Sequence, residues 1–238
     1  MRNLTDMPWR HRVAGSIMGP MNDGETILDI GCGEFAILER YLIPRSCMVV
    51  TLDLNVQALA KSRQLLKIEG RGNVNIVRAT ATDLPLKDQC VDRILMLDVI
   101  EHLPTNMDDK ALREAARIAK PGGMLIVSTP NYCLTSNLLD PHWLLGHRHY
   151  RLEVLTSKMA KALFDIEQRS VRGGIVTALE YIAYLPWHLF WSHVLLRIRE
   201  PALPFQRFFN KLVAREVFTE RSRSGMTIFM KARRHGKQ

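Results

Sequence analysis

Four residues in the first quarter of the chain have types and spacing suited to holding a cofactor: Asp29, Gly31, Gly33 and Asp53. The run from Thr26 to Phe35 sets a buried-strand pattern, an acidic residue and a glycine turn in succession. Such a turn lets a nucleotide-bearing cofactor approach the backbone, because Gly31 and Gly33 take torsions or tolerate contacts that a side chain forbids. Two readings fit. Gly31, Gly33 and Ala36 satisfy the G-x-G-x-x-G/A dinucleotide fingerprint, and Asp53 follows about twenty residues on, where a ribose-binding carboxylate is expected. Alternatively, an acid two residues before the first glycine suits an ammonium group on the cofactor. Asp29 has no evident task beside a pyrophosphate.

The elements that must position these residues alternate from Glu25 onward, as βαβ units of a parallel sheet do. Strands are expected at 27–30, 47–53, 73–79, 91–97, 124–129, 165–172 and 226–231. Helices are expected at 36–42, from an Asn55 N-cap through Leu66, at 108–119 and at 153–164. Lys120-Pro121-Gly122-Gly123 reads as a stop and turn before the fifth strand. Before the sheet, residues 1–24 form an N-terminal helical segment, with Trp9, Arg10 and His11 in a short helix entered at Pro8. The fold class expected is α/β: a Rossmann-like, seven-stranded, mostly parallel sheet with helices on both faces and a helical insertion between strands 6 and 7. The main domain then comprises 25–174 and 225–234, and the insertion 175–224.

Composition narrows the setting. The hydrophobic content of 47% is enough for a core in a chain of 238 residues. Cys32, Cys47, Cys90 and Cys133 form no C-x-x-C pair, so neither a zinc site nor a disulfide framework is indicated, and a reducing, cytoplasmic setting fits best. The N-terminus, with Asp6, Arg10, His11 and Arg12, lacks the apolar stretch of a secretory signal. Charge is uneven: from Arg197 to Gln238 eleven Lys or Arg face three Glu, so this end carries +8 of the +9 net charge. The part that holds the glycine turn is close to neutral, and the basic end suits an anionic surface.

The insertion has a character of its own. Thr177 and Glu180 match a capping box, Pro186 breaks or kinks the helix that follows, and Trp187, Leu189, Phe190, Trp191, Val194, Leu195 and Leu196 make a dense apolar stretch. Phe205, Phe208, Phe209 and Leu212 recur at helical spacing opposite Arg207, Lys211 and Arg215. Ile175 to Leu196 is long enough for a membrane span, with Glu180 its one formal charge. A span would strand the seventh strand across the bilayer from its sheet, and Pro186, His188 and His193 weaken it further. A cap over the substrate pocket, a homodimer surface, and peripheral docking on an anionic membrane remain open.

The strand ends together decide the cofactor. Asp29-Ile-Gly-Cys-Gly follows the first strand, Asp53 the second, Thr82-Asp83-Leu84-Pro85 the third and Leu97-Asp98-Val-Ile-Glu101-His102 the fourth, with Pro121-Gly-Gly before the fifth. As a set these resemble class I S-adenosylmethionine-dependent methyltransferases, particularly the group containing the ubiquinone and menaquinone biosynthesis enzymes, over about Glu25 to Arg172. The resemblance implies S-adenosyl-L-methionine as cofactor. Gly31, Cys32 and Gly33 would line its methionine end with Asp29 nearby, and Asp53 would accept from the ribose hydroxyls. Asp83, beside Thr82, would receive the adenine amino group, Leu54 and Leu84 would flank the ring, and Leu97 or Asp98 would border the methionine. Phe35 stands where the family usually has a third glycine.

Methyl transfer from a sulfonium is an in-line displacement with a good leaving group, so positioning and exclusion of water supply most of the catalysis. For a reluctant acceptor, His102, His147, His149 or Tyr150 could take or relay the proton. The stretch from His142 to Tyr150 follows the fifth strand, where a crevice is expected, and similar elements form the acceptor-side wall in related methyltransferases. His142, His147 and His149 with Asp140 match no strong zinc pattern, so no metal is expected. The acceptor expected is a small, apolar or lipid-like molecule. RNA is the weaker alternative, since no Asn-Pro-Pro-Tyr-type motif follows the fourth strand, and a non-catalytic binding subunit is a further one.

Overall fold

The computed structural model describes residues 7–139, 147–179, 182, 206–219 and 225–236. Helix α1 (Trp9–Met18) precedes strand β1 (Thr26–Ile30), short helix α2 (Ile37–Tyr41), β2 (Met48–Asp53), α3 (Val56–Ile68), β3 (Val74–Arg78) and β4 (Val91–Leu97). A 3-10 turn (Ile100–His102) then leads to α4 (Met107–Ile118), β5 (Ala119–Pro130) and α5 (Leu134–Leu139). Helix α6 (Leu152–Lys161), β6 (Phe164–Arg172), α7 (Gln206–Thr219) and β7 (Thr227–Arg234) complete the order.

The seven strands form one sheet in the order β3-β2-β1-β4-β5-β7-β6. Successive parallel pairs run from β3 to β5, and β7 enters antiparallel between β5 and β6. After β1 the chain builds outward through β2 and β3, then returns to lay β4 on the other side of β1. That reversal opens a crevice at the carboxyl ends of β1 and β4, where open α/β sheets bind ligands.

Alternation along the strands sorts side chains to two faces. Leu28, Ile30, Leu52, Ile94 and Met96 pack under α4 with Ala111, Leu112 and Ala115. Ile27, Val49, Leu95 and Ile126 pack on the other face with Leu38 of α2 and Ile43. Helices thus cover both faces, as expected. Helix α7 joins this body through Val213 and Val217, which pack with Val13 and Ile17 of α1 and with Phe229 of β7.

Local signals hold in places and yield to the sheet in others. Asn55 caps α3, its side-chain oxygen accepting from the amides of Gln57 and Ala58. Lys120-Pro121-Gly122-Gly123 does not separate α4 from β5. The strand begins at Ala119 opposite Val91, and the next paired position is Met124 opposite Arg93, so the four residues bulge out within the strand around a left-handed Gly122 at φ +73°. Thr177 is not an N-cap either. Helical structure is already under way at 175–179, and Glu216 of α7 accepts hydrogen bonds from the Gly174, Val176 and Thr177 amides and from the Thr177 hydroxyl. Glu180, Pro186 to Leu196 and the side chains of Phe205 to Phe209 lie outside the described residues.

Candidate cofactor and acceptor site

The glycine turn folds as its composition demands. Gly31 and Gly33 both sit at positive φ, +77° and +62°, and Ala36 follows at +43°. The two glycines are required for different reasons. A Cβ on Gly31 would stand 2.5 Å from Val99 Cγ2, whereas a Cβ on Gly33 would meet nothing within 4 Å. Gly31 therefore serves close packing of the turn against the chain after β4, and Gly33 faces open space.

Asp53, at the end of β2, reaches this turn. Its Oδ2 accepts from the Gly33 amide at 3.0 Å and its Oδ1 from the Asn55 amide at 2.8 Å. Each oxygen keeps a lone pair for a further donor, the capacity a ribose diol needs. Beyond β3, the Thr80 and Thr82 hydroxyls are 3.0 Å apart and Asp83 is exposed, closing a small bridge back to Thr80. Leu54 is 59% exposed and offers an apolar face, while Leu84 is 3% exposed within the core. Leu84, expected to flank the adenine, instead anchors its loop from below, and its amide donates to Glu114.

Asp29 also lies deeper than expected. It is 3% exposed, faces Glu39 of α2 beneath the turn, and presents no open carboxylate at the crevice. Burial, then the neighbouring Glu39, holds its carboxyl well above the usual range. Cys32, between the glycines, is pushed by burial up to about 12 and stays a thiol.

On the other side of the crevice, Leu97 is half-buried and Asp98 takes a left-handed conformation at φ +54°. Arg10 of α1 donates to Asp98 Oδ2 at 3.0 Å, and Ser128 of β5 donates to Oδ1 at 3.0 Å. Burial works to raise the Asp98 carboxyl, but Arg10 outweighs it and the group lies below its ordinary range. The N-terminal helix is thereby tied to the crevice, with His11 also beside Asp98. Glu101, three residues further, is 3% exposed and accepts from the Thr129 hydroxyl at 3.0 Å. Burial and then the charge of Asp98 push it up to about 8. The Glu101 carboxyl thus keeps its proton well above the ordinary carboxylate range, whereas the sequence pointed to His102, His147, His149 and Tyr150 for proton handling. The signal available was its spacing from Asp98, which says nothing about burial.

The four residues expected to handle the acceptor's proton separate into three groups. His102 and His147 come together, ring centroids 4.1 Å apart and nearly perpendicular. His149 turns to α5, its Nδ1 within 2.7 Å of Asn137 Oδ1. Tyr150 is 5% exposed, its hydroxyl donating to Asp108 Oδ2 at 3.0 Å and to the Ile100 carbonyl at 3.2 Å. Burial and the Asp108 charge hold its phenol far above the ordinary value, so Tyr150 fastens the loop rather than relays protons. Arg148 binds the carbonyls of Ile100 and Leu103, docking 147–150 onto the turn that carries Glu101. Beside it lies a cavity of about 530 Å³ lined by Tyr132, His147, His149 and Arg151 among others. No cluster of metal-ligating side chains occurs among the described residues, and Asp140 and His142 lie outside them.

A doubly wound sheet with a glycine turn, a β2-end carboxylate and a polar β3-end loop at its switch point is the arrangement in which Rossmann-like folds hold nucleotide cofactors. Residues 28–127 match the methyltransferase domain family. A protein named a probable S-adenosylmethionine-dependent methyltransferase of Mycobacterium tuberculosis is 32% identical over 123 residues, covering 51% of this chain and 42% of its own. The ubiquinone/menaquinone biosynthesis C-methyltransferase of Pasteurella multocida is 36% identical over 121 residues, 50% of this chain and 43% of its own. Residues 28–127 are therefore similar to the methyltransferase domain, and the chain spans less than half the length of the curated relatives it matches. Its fold is also that of Haemonchus contortus phosphoethanolamine N-methyltransferase 2, solved with S-adenosyl-L-methionine, at TM-score 0.67 and 18% identity over 95% of this chain and 52% of that one.

Proposed function

We propose that the chain transfers the methyl group of S-adenosyl-L-methionine to a small, apolar or lipid-like acceptor. The observation that carries the cofactor half is the open space in front of Gly33, bounded by Asp53 with spare acceptor capacity. The residues present fit the cofactor: Asp53 for the ribose hydroxyls, Leu54 and Asp83 for the adenine, Gly31 to Gly33 for the methionine end. When bound there, the cofactor supplies an electrophilic methyl on sulfur.

The chain's own part is positioning. Arg10 and Ser128 fix Asp98 at the crevice, and Arg148 holds the 147–150 loop on the turn after β4. Glu101, with the His102 and His147 pair nearby, accepts a proton from a hydroxyl or acidic carbon only in its ionised form, so this role grows as pH rises toward about 8. Apolar side chains stand exposed at the acceptor end: Leu134 and Leu138 of α5, and Ile175 and Leu179 one helical turn apart on 175–179. These exposed side chains support an apolar acceptor, and the basic residues of 197–223 suit an anionic membrane; Lys231, Arg233 and Arg234 lie at the opposite edge of the sheet, on Glu167 and the Gly122 and Ala119 carbonyls. No helix among the described residues is long and apolar enough to cross one.

The test is transfer of labelled methyl from S-adenosylmethionine into a total lipid extract and, separately, into total RNA, with products identified by mass spectrometry. Label in an apolar small molecule supports the proposal. Label in RNA alone, or none despite bound cofactor, overturns it.

A further inference from the structure

Beneath the glycine turn lies a pair of carboxylates that methyl transfer does not require. Asp29 and Glu39 are 3% and 0% exposed. The parallel register sets Asp29 between Thr51 of β2 and Leu95 of β4, on the same sheet face as the apolar Ile27 and Val49. Helix α2 lays Glu39 over that face. The Thr51 hydroxyl acts on both Glu39 and Cys32, but neither Glu39 oxygen makes a well-formed hydrogen bond to a described residue. Two ionised carboxylates would repel each other in this apolar layer, where the one neutral hydroxyl beside them, that of Thr51, cannot satisfy both. A proton held between them supplies the missing donor and removes the repulsion.

The surrounding charges point the same way. Asp53 adds a third negative group on the β2 side, and Cys32 remains a neutral thiol. Arg71, beyond α3, is the cation that acts on Glu39, and its guanidinium also donates to the Ile43 carbonyl at 2.6 Å. Burial raises both carboxyls of the pair, for Asp29 well above the usual range. The pair therefore sits directly under the segment that would line the methionine end of the cofactor, and its charge changes with one proton.

We propose that Asp29 and Glu39 share a proton that is released to solvent when a sulfonium cofactor binds above the turn and is retained over the thioether product. The inference rests on the cofactor reading given above. S-adenosylmethionine carries one net positive charge from its sulfonium, ammonium and carboxylate, while S-adenosylhomocysteine carries none. The positive ligand favours the doubly ionised pair, and the neutral product favours its reprotonation. The pair thus makes the site discriminate substrate from product, more strongly as pH rises, and eases product release.

The experiment has two arms on the full chain. In the first, infrared difference spectra of the ligand-free protein and Glu39→Gln are compared at neutral pH. The wild type should show the C=O stretch of a protonated carboxylic acid that the variant lacks. In the second, each ligand is titrated calorimetrically in two buffers of different ionisation enthalpy and across neutral pH. S-adenosylmethionine should release a proton and gain affinity by up to roughly tenfold per pH unit, S-adenosylhomocysteine should show neither, and Glu39→Gln should bind S-adenosylmethionine without the pH dependence. Absence of the infrared band, or equal proton release by both ligands, overturns the proposal. Failure of either ligand to bind at all, with the band present, instead rejects the cofactor reading and with it the discriminating role.

Discussion

The Gly33 amide donates to Asp53 Oδ2 at 3.0 Å, so the turn after β1 and the end of β2 are held by one carboxylate that also faces the crevice. Replacing Asp53 removes this tie and the ribose acceptor together. Asp53→Ala should weaken S-adenosylmethionine binding by about ten- to a hundredfold, the range for charge-assisted hydrogen bonds. Asp53→Glu should lose less, because it keeps the charge and misplaces it. Calorimetric titration checks both, and unchanged affinity in Asp53→Ala would remove the ribose role.

The two glycines of the turn should respond differently to alanine. At Gly33 the cost to folding is that of a left-handed alanine, roughly 1–2 kcal/mol. The new methyl enters the space a cofactor needs, so binding should fall out of proportion to stability. At Gly31 the methyl also meets stiff, β-branched Val99 at 2.5 Å, and the loss of stability should reach about 2–4 kcal/mol. Urea denaturation beside cofactor titration separates the two; Gly33→Ala binding as wild type would place the cofactor elsewhere.

The turn and its acids were legible in the sequence because their signals are local: glycines that need positive φ, an Asn that caps the next helix, an acid at a strand end. The strand count was legible for the same reason. Pairing was less so. Nothing in Thr227 to Arg234 says that this strand inserts antiparallel between β5 and β6. Pro121-Gly122-Gly123 reads as a stop, yet the strand continues past it because the β4 ladder offers hydrogen bonds on both sides of the bulge. Thr177 looked like a cap, and a carboxylate about forty residues later on another helix took the amides instead. Burial was the least legible property. Asp29 and Glu101 were visible as acids at the right places, but what sets their protonation is burial first, and then Glu39 from α2 and Asp98 in a left-handed backbone.

Glu216 should be worth more to folding than a surface carboxylate. It accepts from the Gly174, Val176 and Thr177 amides at the start of the helical segment 175–179 and from the Thr177 hydroxyl. Burial works to raise this carboxyl, but Thr177 and the amides prevail and lower it. A lowered native value means the stabilisation is complete above the ordinary carboxylate range and is lost as pH falls through the native value. Glu216→Ala should cost roughly 1–3 kcal/mol in urea denaturation at neutral pH. It should also speed hydrogen exchange at the Gly174, Val176 and Thr177 amides. Exchange unchanged at those three positions would show that another group caps the helix.

Glu101 should give the pH dependence of stability the opposite sign. Its native value of about 8 lies above the 4.5 of an ordinary glutamate carboxyl, so between the two the folded chain holds a proton that the unfolded chain has released. Stability then falls as pH rises through that interval, because the unfolded state binds fewer protons there. Glu101→Gln keeps the volume and the contact with Thr129 but cannot ionise, and should remove this part of the slope. The comparison is wild type against variant in urea at pH of about 5 and about 8. The variant should gain relative stability at the higher pH, while methyl transfer to an acceptor that needs deprotonation should fall and lose its dependence on the same titration. Parallel stability curves for the two proteins would mean that Glu101 is ionised across the range, and that its proton has no part in either folding or transfer.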